Sequence, residues 1–157
     1  MALHRADALL GGALVVSLGA VGIALVSQHV YDMMPCPWCV LQRLIFLSIA
    51  AAALIGLVAQ RLGPILMIGL AVCGMAAALW QHFVAAATAS CNLSFADRVM
   101  SGLTLDELAP AVFMATASCA DAKVNLLGVP YEFWSLGLFV MLESLATWTL
   151  VQRLRRG

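Results

Sequence analysis

The sequence predicts an all-α membrane protein, a bundle of four transmembrane helices. The 157-residue chain is 64% hydrophobic and only 10% charged, and its mean hydropathy is +1.01. A soluble domain of this size could not bury so much apolar surface, so we expect lipid to be the solvent. Residues 8–31, 44–60 and 62–96 contain no Asp, Glu, Lys or Arg, and a fourth apolar run, 133–152, is interrupted only by Glu143. Four runs of this kind predict four spans.

The bounds of the spans follow from the thickness of a bilayer. A hydrocarbon core of about 30 Å requires roughly 20 apolar helical residues. The predicted spans are about 9–28, 40–59, 64–84 and 131–151. Residues 85–94 are small and polar, so the long third run is expected to hold one span rather than two. The first run is too long for the hydrophobic part of a secretory signal, and no clear small-x-small cleavage site follows it, so we expect it to remain as a span.

Three loops join these spans into a single domain, residues 1–157, with an up-down-up-down order. They are a short loop at about 29–39, a tight turn around Gln60–Gly63 and a long loop at about 85–130. Lys and Arg collect on the cytoplasmic side of membrane proteins. With both termini cytoplasmic, five of the eight cations lie inside (Arg5, Arg61, Arg153, Arg155 and Arg156) and three lie outside (Arg43, Arg98 and Lys123). We therefore expect the first and third loops to lie on the outer side of the membrane.

The long loop carries too many apolar residues for a loop that is free in solvent. Leucine is found at positions 103, 105 and 108, close to the acidic pair Asp106 and Glu107. We expect short pieces that lie on the membrane surface and are partly embedded in it. Pro110 argues against one unbroken helix.

The cysteines are the strongest functional signal. Four of the five, Cys36, Cys39, Cys91 and Cys119, fall in the two outer loops. Disulfides persist in the periplasm, if this is a bacterial inner-membrane protein. Four cysteines allow three pairings, of which Cys36–Cys39 with Cys91–Cys119 is the simplest. Taken alone, a Cys91–Cys119 bond is also explained as a structural staple, worth about 3–4 kcal/mol in the chain-entropy model.

The Cys36–Cys39 pair is explained better by reactivity than by stability, because a bridge across two residues constrains the chain very little. Helix N-termini favour thiolates, and we expect the helix that contains the second span to begin at or near Pro37. Arg43 lies one helical turn beyond Cys39, where it could stabilise a Cys39 thiolate and bind a carbonyl or an anion. Interfacial snorkelling is the alternative for Arg43. Haem attachment is excluded because Val40 follows Cys39 where a His is required, and two distant loops are a poor frame for a four-thiolate zinc site.

For three further residues, the sequence does not decide in favour of a functional role. His82, at the outer end of the third span, is also explained as a hydrated histidine at the membrane interface. Cys73 lies within the third span, where we expect an inert, buried small hydrophobe. Glu143 is an acid within the fourth span, and such residues are functional candidates; the sequence assigns it no role.

The motif residues resemble the disulfide-bond formation protein B (DsbB) family of bacterial inner membranes. The matching segments are Gln28-His29-Val30, then Pro35-Cys36-Pro37-Trp38-Cys39-Val40-Leu41-Gln42-Arg43, and later Leu127-Gly128, Trp134 and Leu136-Gly137. Together with the four spans and the two later loop cysteines, the resemblance covers nearly the whole chain. It implies an enzyme that re-oxidises a periplasmic thioredoxin-fold dithiol oxidase, of the DsbA type, and passes the electrons to membrane quinone, either ubiquinone or menaquinone.

The resemblance also implies a role for each site residue. Cys91 is attacked by the thiolate of the partner oxidase, and the released Cys119 attacks Cys36 of a Cys36–Cys39 disulfide. Cys39 then becomes the thiolate that faces the quinone ring. Arg43 supports both the thiolate and the quinone, and His82 corresponds to a position near the quinone.

Two other functions remain open on the sequence. A vitamin K epoxide reductase-like protein also couples cysteines to quinones, but it carries its reactive pair on a late span. A non-catalytic four-span scaffold with a disulfide-stapled outer loop, of the tetraspanin or claudin type, is the second alternative. The net charge of zero argues against nucleic acid as a partner.

Overall fold

Four long helices form the protein, and the computed structural model describes residues 2–87 and 94–155 of it. These helices are α1 (Ala2–Val30), α2 (Pro37–Val58), α3 (Leu62–Trp80) and α7 (Tyr131–Leu154). A single π-helical turn, Gln81–Ala85, continues α3. All four are long and apolar enough to cross a membrane. The predicted four-helix membrane bundle is therefore confirmed.

The helices pack as a closed ring. Helix α1 contacts α2, α2 contacts α3, α3 contacts α7, and α7 returns to α1. Phe139 of α7 is fully buried at the centre, where its ring stacks on Phe46 of α2 at a centroid distance of 4.1 Å. Gly74 of α3 makes room for it, since a Cβ at this position would lie 2.4 Å from the Phe139 ring. Shape complementarity of this kind holds helices together in lipid, where burial of apolar surface gives no advantage.

The α2–α3 turn depends on two glycines. A Cβ at Gly63 would lie 2.2 Å from the Cα of Gly56 and 2.7 Å from the carbonyl oxygen of Ala52. The two helix backbones therefore touch at the point where α2 ends and α3 begins. Only residues without a side chain permit this approach.

A buried arginine ties three helices together at the same end of the bundle. Arg153 of α7 donates hydrogen bonds to the carbonyl oxygens of Gly56, at 2.7 Å, and Gln60. It also forms an ion pair with Asp7 of α1 at 2.9 Å. Arg153 was predicted to lie beyond the fourth span; instead α7 continues to Leu154, and the residue is 5% exposed.

The long connection between α3 and α7 contains short elements. They are α4 (Phe95–Gly102), α5 (Leu105–Leu108), α6 (Pro110–Phe113) and an antiparallel hairpin of β1 (Asn125–Leu126) and β2 (Val129–Pro130). A capping box between Ser94 and Asp97 begins α4. Leu127 and Gly128 both adopt positive φ, 54° and 81°, which closes the two-residue hairpin turn. Helices α4 and α6 both pack on α2, so the connection folds back over the start of that helix.

The Gly56–Gly63 contact generates a stability prediction. We expect Gly63→Ala to lower the free energy of unfolding by about 1–3 kcal/mol, because the new methyl group meets backbone atoms that cannot move aside. Gly69→Ala is the matched control on the same helix, since a Cβ there has nothing within 4 Å. Thermal unfolding in detergent measures both variants. Equal stability of the two would show that the helices do not approach as described.

Candidate functional site

The turn between α1 and α2 presents two thiols at the beginning of α2. Cys36 is the N-cap residue and Pro37 the first residue of the helix, where the missing N–H of proline costs nothing. The Cys36 Sγ accepts a hydrogen bond from the backbone N–H of Cys39 at 3.3 Å. The Sγ atoms of Cys36 and Cys39 are in contact at 2.8 Å, and neither forms a disulfide. We refer to this end of the bundle as the thiol end.

A third thiol, from the long connection, reaches the same place. Cys119 and Cys36 are joined by a side-chain hydrogen bond. The backbone N–H groups of Thr116 and Ala117 both donate to the carbonyl oxygen of Pro35, at 3.0 and 3.3 Å, which fastens the segment before Cys119 to the turn before Cys36. Cys36, fully buried, therefore lies between two other sulfurs.

The hydrogen bonds polarise this cluster. Hydrogen bonding to Cys119 and to Cys39, together with burial, raises the pKa of Cys36 well above its ordinary value. The hydrogen bond that Cys36 donates lowers the pKa of Cys119. Cys36 therefore keeps its proton, and Cys119 takes the thiolate form more readily. A thiolate is the attacking species in disulfide exchange.

The predicted Cys91–Cys119 bond is not formed in this structure, where Cys119 is a free thiol; Cys91 itself lies outside the residues that the structure describes. Cys73 is described and is a free thiol. It was expected to be buried, but it is exposed on the surface of the helix bundle. It is not part of the cluster.

Arg43 is buried and fully engaged rather than snorkelling. Its Nη1 donates to the side-chain oxygen of Gln28 at 2.6 Å and to the carbonyl oxygen of Val112 at 2.9 Å. Its Nη2 donates to the carbonyl oxygen of Ala24 at 3.3 Å. Because the guanidinium is only 5% exposed, these bonds replace its hydration. Its charge also interacts with the Cys39 sulfur.

Two buried glutamines, whose roles the sequence analysis missed, complete the surroundings of Cys39. Gln81 donates from Nε2 to the Cys39 Sγ at 3.3 Å. Gln42 donates from Nε2 to the Oε1 of Gln81 at 2.7 Å. Gln42 stands in the motif beside Arg43, and Gln81 precedes His82, so both were visible as neighbours of predicted residues. Only the fold shows that they meet.

A cavity of about 440 Å³ opens beside these residues, between α1, α2 and α7. Its lining is mostly apolar and includes Ala20, Ile23, Ala24, Phe46, Leu126, Tyr131, Phe133, Trp134, Gly137 and Leu138. Cys39, Gln42, Arg43, Gln81 and Glu132 also line it and supply polar groups near the thiol end. The volume, the aromatic walls and the few convergent polar groups are typical of a site for a flat, apolar ligand.

His82 lies beside this cavity rather than in its lining. Its Nδ1 is 2.7 Å from the Oε1 of Glu132, and its ring packs edge-on against Phe133. Glu132, a residue that the sequence analysis did not select, is the member of the pair that lines the cavity. Glu143 accepts a hydrogen bond from Thr147 at 2.8 Å and lines neither this cavity nor the thiol cluster.

Comparisons with known proteins agree with the resemblance. The sequence model of the family described as Disulfide bond formation protein DsbB matches residues 6–149. The chain is 32% identical over 150 residues to Disulfide bond formation protein B of Ralstonia nicotianae, a match that covers 90% of this chain and 92% of that protein. It is 29% identical over 147 residues to the protein of the same name from Cupriavidus metallidurans, covering 88% and 89%. It is 28% identical over 155 residues to that of Stutzerimonas stutzeri, covering 93% and 92%.

The contact between Cys36 and Cys119 generates a cross-linking prediction. In the double variant Cys39→Ser, Cys91→Ser, we expect mild oxidation to form a Cys36–Cys119 disulfide in most molecules, because the two thiols are neighbours. Peptide mass spectrometry under non-reducing conditions identifies the bond. A further Cys36→Ser substitution leaves Cys73 and Cys119 and should give no internal bridge. An internal disulfide in both variants, or in neither, would contradict the proximity of Cys36 and Cys119.

Proposed function

Because the chain belongs to the DsbB family, a family of disulfide-generating membrane oxidoreductases, we propose that it is a protein-dithiol:quinone oxidoreductase of a bacterial inner membrane. It re-oxidises a DsbA-like thioredoxin-fold oxidase in the periplasm and delivers two electrons to membrane quinone. The observation that carries the proposal is the continuous path from Cys119 through Cys36 and Cys39 to the cavity. Thiol exchange and quinone chemistry meet at the Cys39 sulfur.

The exchange proceeds in four displacements along this path. A thiolate of the partner attacks Cys91 of a Cys91–Cys119 disulfide, forms a mixed disulfide with Cys91 and releases Cys119 as a thiolate. Cys119 then attacks Cys36 of a Cys36–Cys39 disulfide, forms a Cys36–Cys119 bond and releases Cys39 as a thiolate. The partner's second thiolate displaces Cys91 and leaves as its disulfide. Attack of Cys91 on Cys119 then restores that bond and leaves Cys36 and Cys39 reduced.

The second half of the cycle needs an oxidant stronger than a protein disulfide. The DsbA-type partner is itself strongly oxidising, with a reduction potential of about −120 mV. Each 30 mV of potential corresponds to about 1.4 kcal/mol for two electrons. A bound quinone supplies the two-electron acceptor, which becomes hydroquinone as the Cys36–Cys39 disulfide re-forms. Ubiquinone and menaquinone both have the flat, apolar ring that the cavity suits.

The residues around the cavity fit such a ligand. Cys39 presents its sulfur to the cavity, and Arg43 provides a positive charge beside it. Tyr131, Phe133 and Trp134 provide aromatic walls. His82 acts on the ligand through Glu132, with which it is paired. The chain thus holds and orients the ring and excludes water.

The thiol end faces the periplasm in this proposal, with both termini in the cytoplasm. Arg5, Arg61 and Arg155 support this orientation, because they lie towards the opposite end of the bundle, where the positive-inside rule places cations. Membership of the DsbB family argues against both the vitamin K epoxide reductase-like alternative and the non-catalytic scaffold.

The role of Cys39 generates a kinetic prediction. We expect Cys39→Ser to abolish quinone reduction, while Cys91 and Cys119 still exchange with the partner and the mixed disulfide accumulates. An anaerobic titration with reduced DsbA-like partner and ubiquinone, followed by absorbance, measures both events. In the unsubstituted protein it should also reveal a thiolate–quinone absorption band. Cys73→Ser should turn over normally, since that thiol is exposed on the surface of the bundle, away from the other described cysteines. Normal turnover of Cys39→Ser would contradict the proposal.

A further inference from the structure

Two buried amide side chains meet beside the reacting sulfur. Gln42 comes from α2 and Gln81 from the π-helical turn after α3, and they are 4% and 6% exposed. Buried amides are rarely left without partners, and each unsatisfied polar atom costs about 1–3 kcal/mol. Here the two side chains are hydrogen-bonded to each other, and Gln81 is also hydrogen-bonded to the sulfur of Cys39.

The bond between the two glutamines fixes which way the amide of Gln81 points. A glutamine amide carries an acceptor oxygen on one side and a donor NH2 on the other. Gln42 donates to the oxygen of Gln81, at 2.7 Å. The NH2 of Gln81 is therefore directed away from Gln42, towards the Cys39 Sγ at 3.3 Å.

This orientation suits a thiolate and not a disulfide. A thiolate only accepts hydrogen bonds, and bonds to charged groups are roughly twice as strong as bonds between neutral groups. A sulfur in a disulfide is a weak acceptor. The donor from Gln81 therefore stabilises the reduced state of the Cys36–Cys39 couple more than its oxidised state.

The backbone at Gln81 is also specialised. The amide N–H of Ala86 donates to the carbonyl oxygen of Gln81 at 2.9 Å, a bond across five residues. Single π turns inside helices are frequent at functional sites. In this protein the turn begins at the residue that contacts the Cys39 sulfur.

We propose that Gln81, held in orientation by Gln42, donates a hydrogen bond to the Cys39 thiolate and thereby makes the Cys36–Cys39 couple more oxidising. This inference rests on the proposed function. The half-reaction takes up two electrons and one proton: the Cys36–Cys39 bond breaks, Cys36 gains the proton, and Cys39 remains a thiolate. The electrons come from the dithiol of the partner oxidase. Gln81 is then a catalytic residue, since it touches the reacting sulfur, and Gln42 is a positioning residue.

The test measures the redox equilibrium of this couple alone, in the full-length protein in detergent without quinone or partner. A background of Cys73→Ala, Cys91→Ala and Cys119→Ala leaves Cys36 and Cys39 as the only thiols. Glutathione buffers of graded ratio, followed by alkylation and mass spectrometry, give the equilibrium constant with glutathione. Gln81→Met keeps the volume but removes the donor, and we expect it to shift the equilibrium roughly tenfold or more towards the disulfide.

The role of Gln42 is tested by a double-mutant cycle. Gln42→Met should give a smaller shift in the same direction, since it frees the Gln81 amide to rotate. The double variant should match Gln81→Met alone, because Gln42 acts only through Gln81. If the two amides were merely packing elements, their effects would add. Gln60→Met, an exposed site at the opposite end of the bundle, should leave the equilibrium unchanged.

An unchanged equilibrium in Gln81→Met, or additive effects in the cycle, would overturn the inference. If Gln81→Met fails to fold, Gln81→Glu replaces it, since it keeps the bond from Gln42 and presents an acceptor to the sulfur; its shift towards the disulfide should be at least as large. Because no quinone is present, these outcomes are separate from the proposed function, which is tested by quinone reduction with electrons from the partner.

Discussion

A positive charge buried at the thiol end organises the site. The Arg43 guanidinium cannot remain in an apolar environment without partners, because an unsolvated cation in the membrane is costly. Helix α1 supplies two hydrogen-bond acceptors, the carbonyl oxygen of Ala24 and the side-chain oxygen of Gln28, and α6 supplies the carbonyl oxygen of Val112. These bonds draw α1 and the long connection onto α2. The cavity beside Cys39 and the approach of Cys119 both depend on that arrangement.

The three described thiols of the site differ in burial and in hydrogen bonding, and the differences suit a directed exchange. Cys36 is fully buried and lies between the other two sulfurs. Its raised pKa keeps it protonated when reduced, so that it is a poor nucleophile, whereas the lowered pKa of Cys119 favours attack. Cys39 alone borders the cavity. In the proposed function, electrons that enter through Cys119 therefore pass through Cys36 and Cys39 to the cavity.

The spacing of charges was enough to predict the four helices, because few sequences other than membrane spans exclude charge over 17 or more residues. The Cys36–Cys39 turn and Arg43 were predictable for a similar reason: their spacing places them on one helix end. Gln81 and Glu132 were not predictable, since their partners, Cys39 and His82, are 42 and 50 residues away in the sequence. The burial of Arg153 was missed because a cation near a chain end normally indicates the end of a span. Sequence patterns within one segment were thus enough to predict the helices, whereas the surroundings of Cys39 depend on contacts between helices that are distant in the sequence.

In the proposed function, the sulfur of Cys39 faces a quinone held in the cavity between α1, α2 and α7. The most direct measurement is photolabelling of the protein in lipid vesicles with an azido-ubiquinone, followed by peptide mapping. We expect saturable labelling of residues around Phe133–Leu138 and Phe46, blocked by excess ubiquinone. Labelling confined to the lipid-facing surface of α3, around Val72 and Cys73, without saturation, would contradict it.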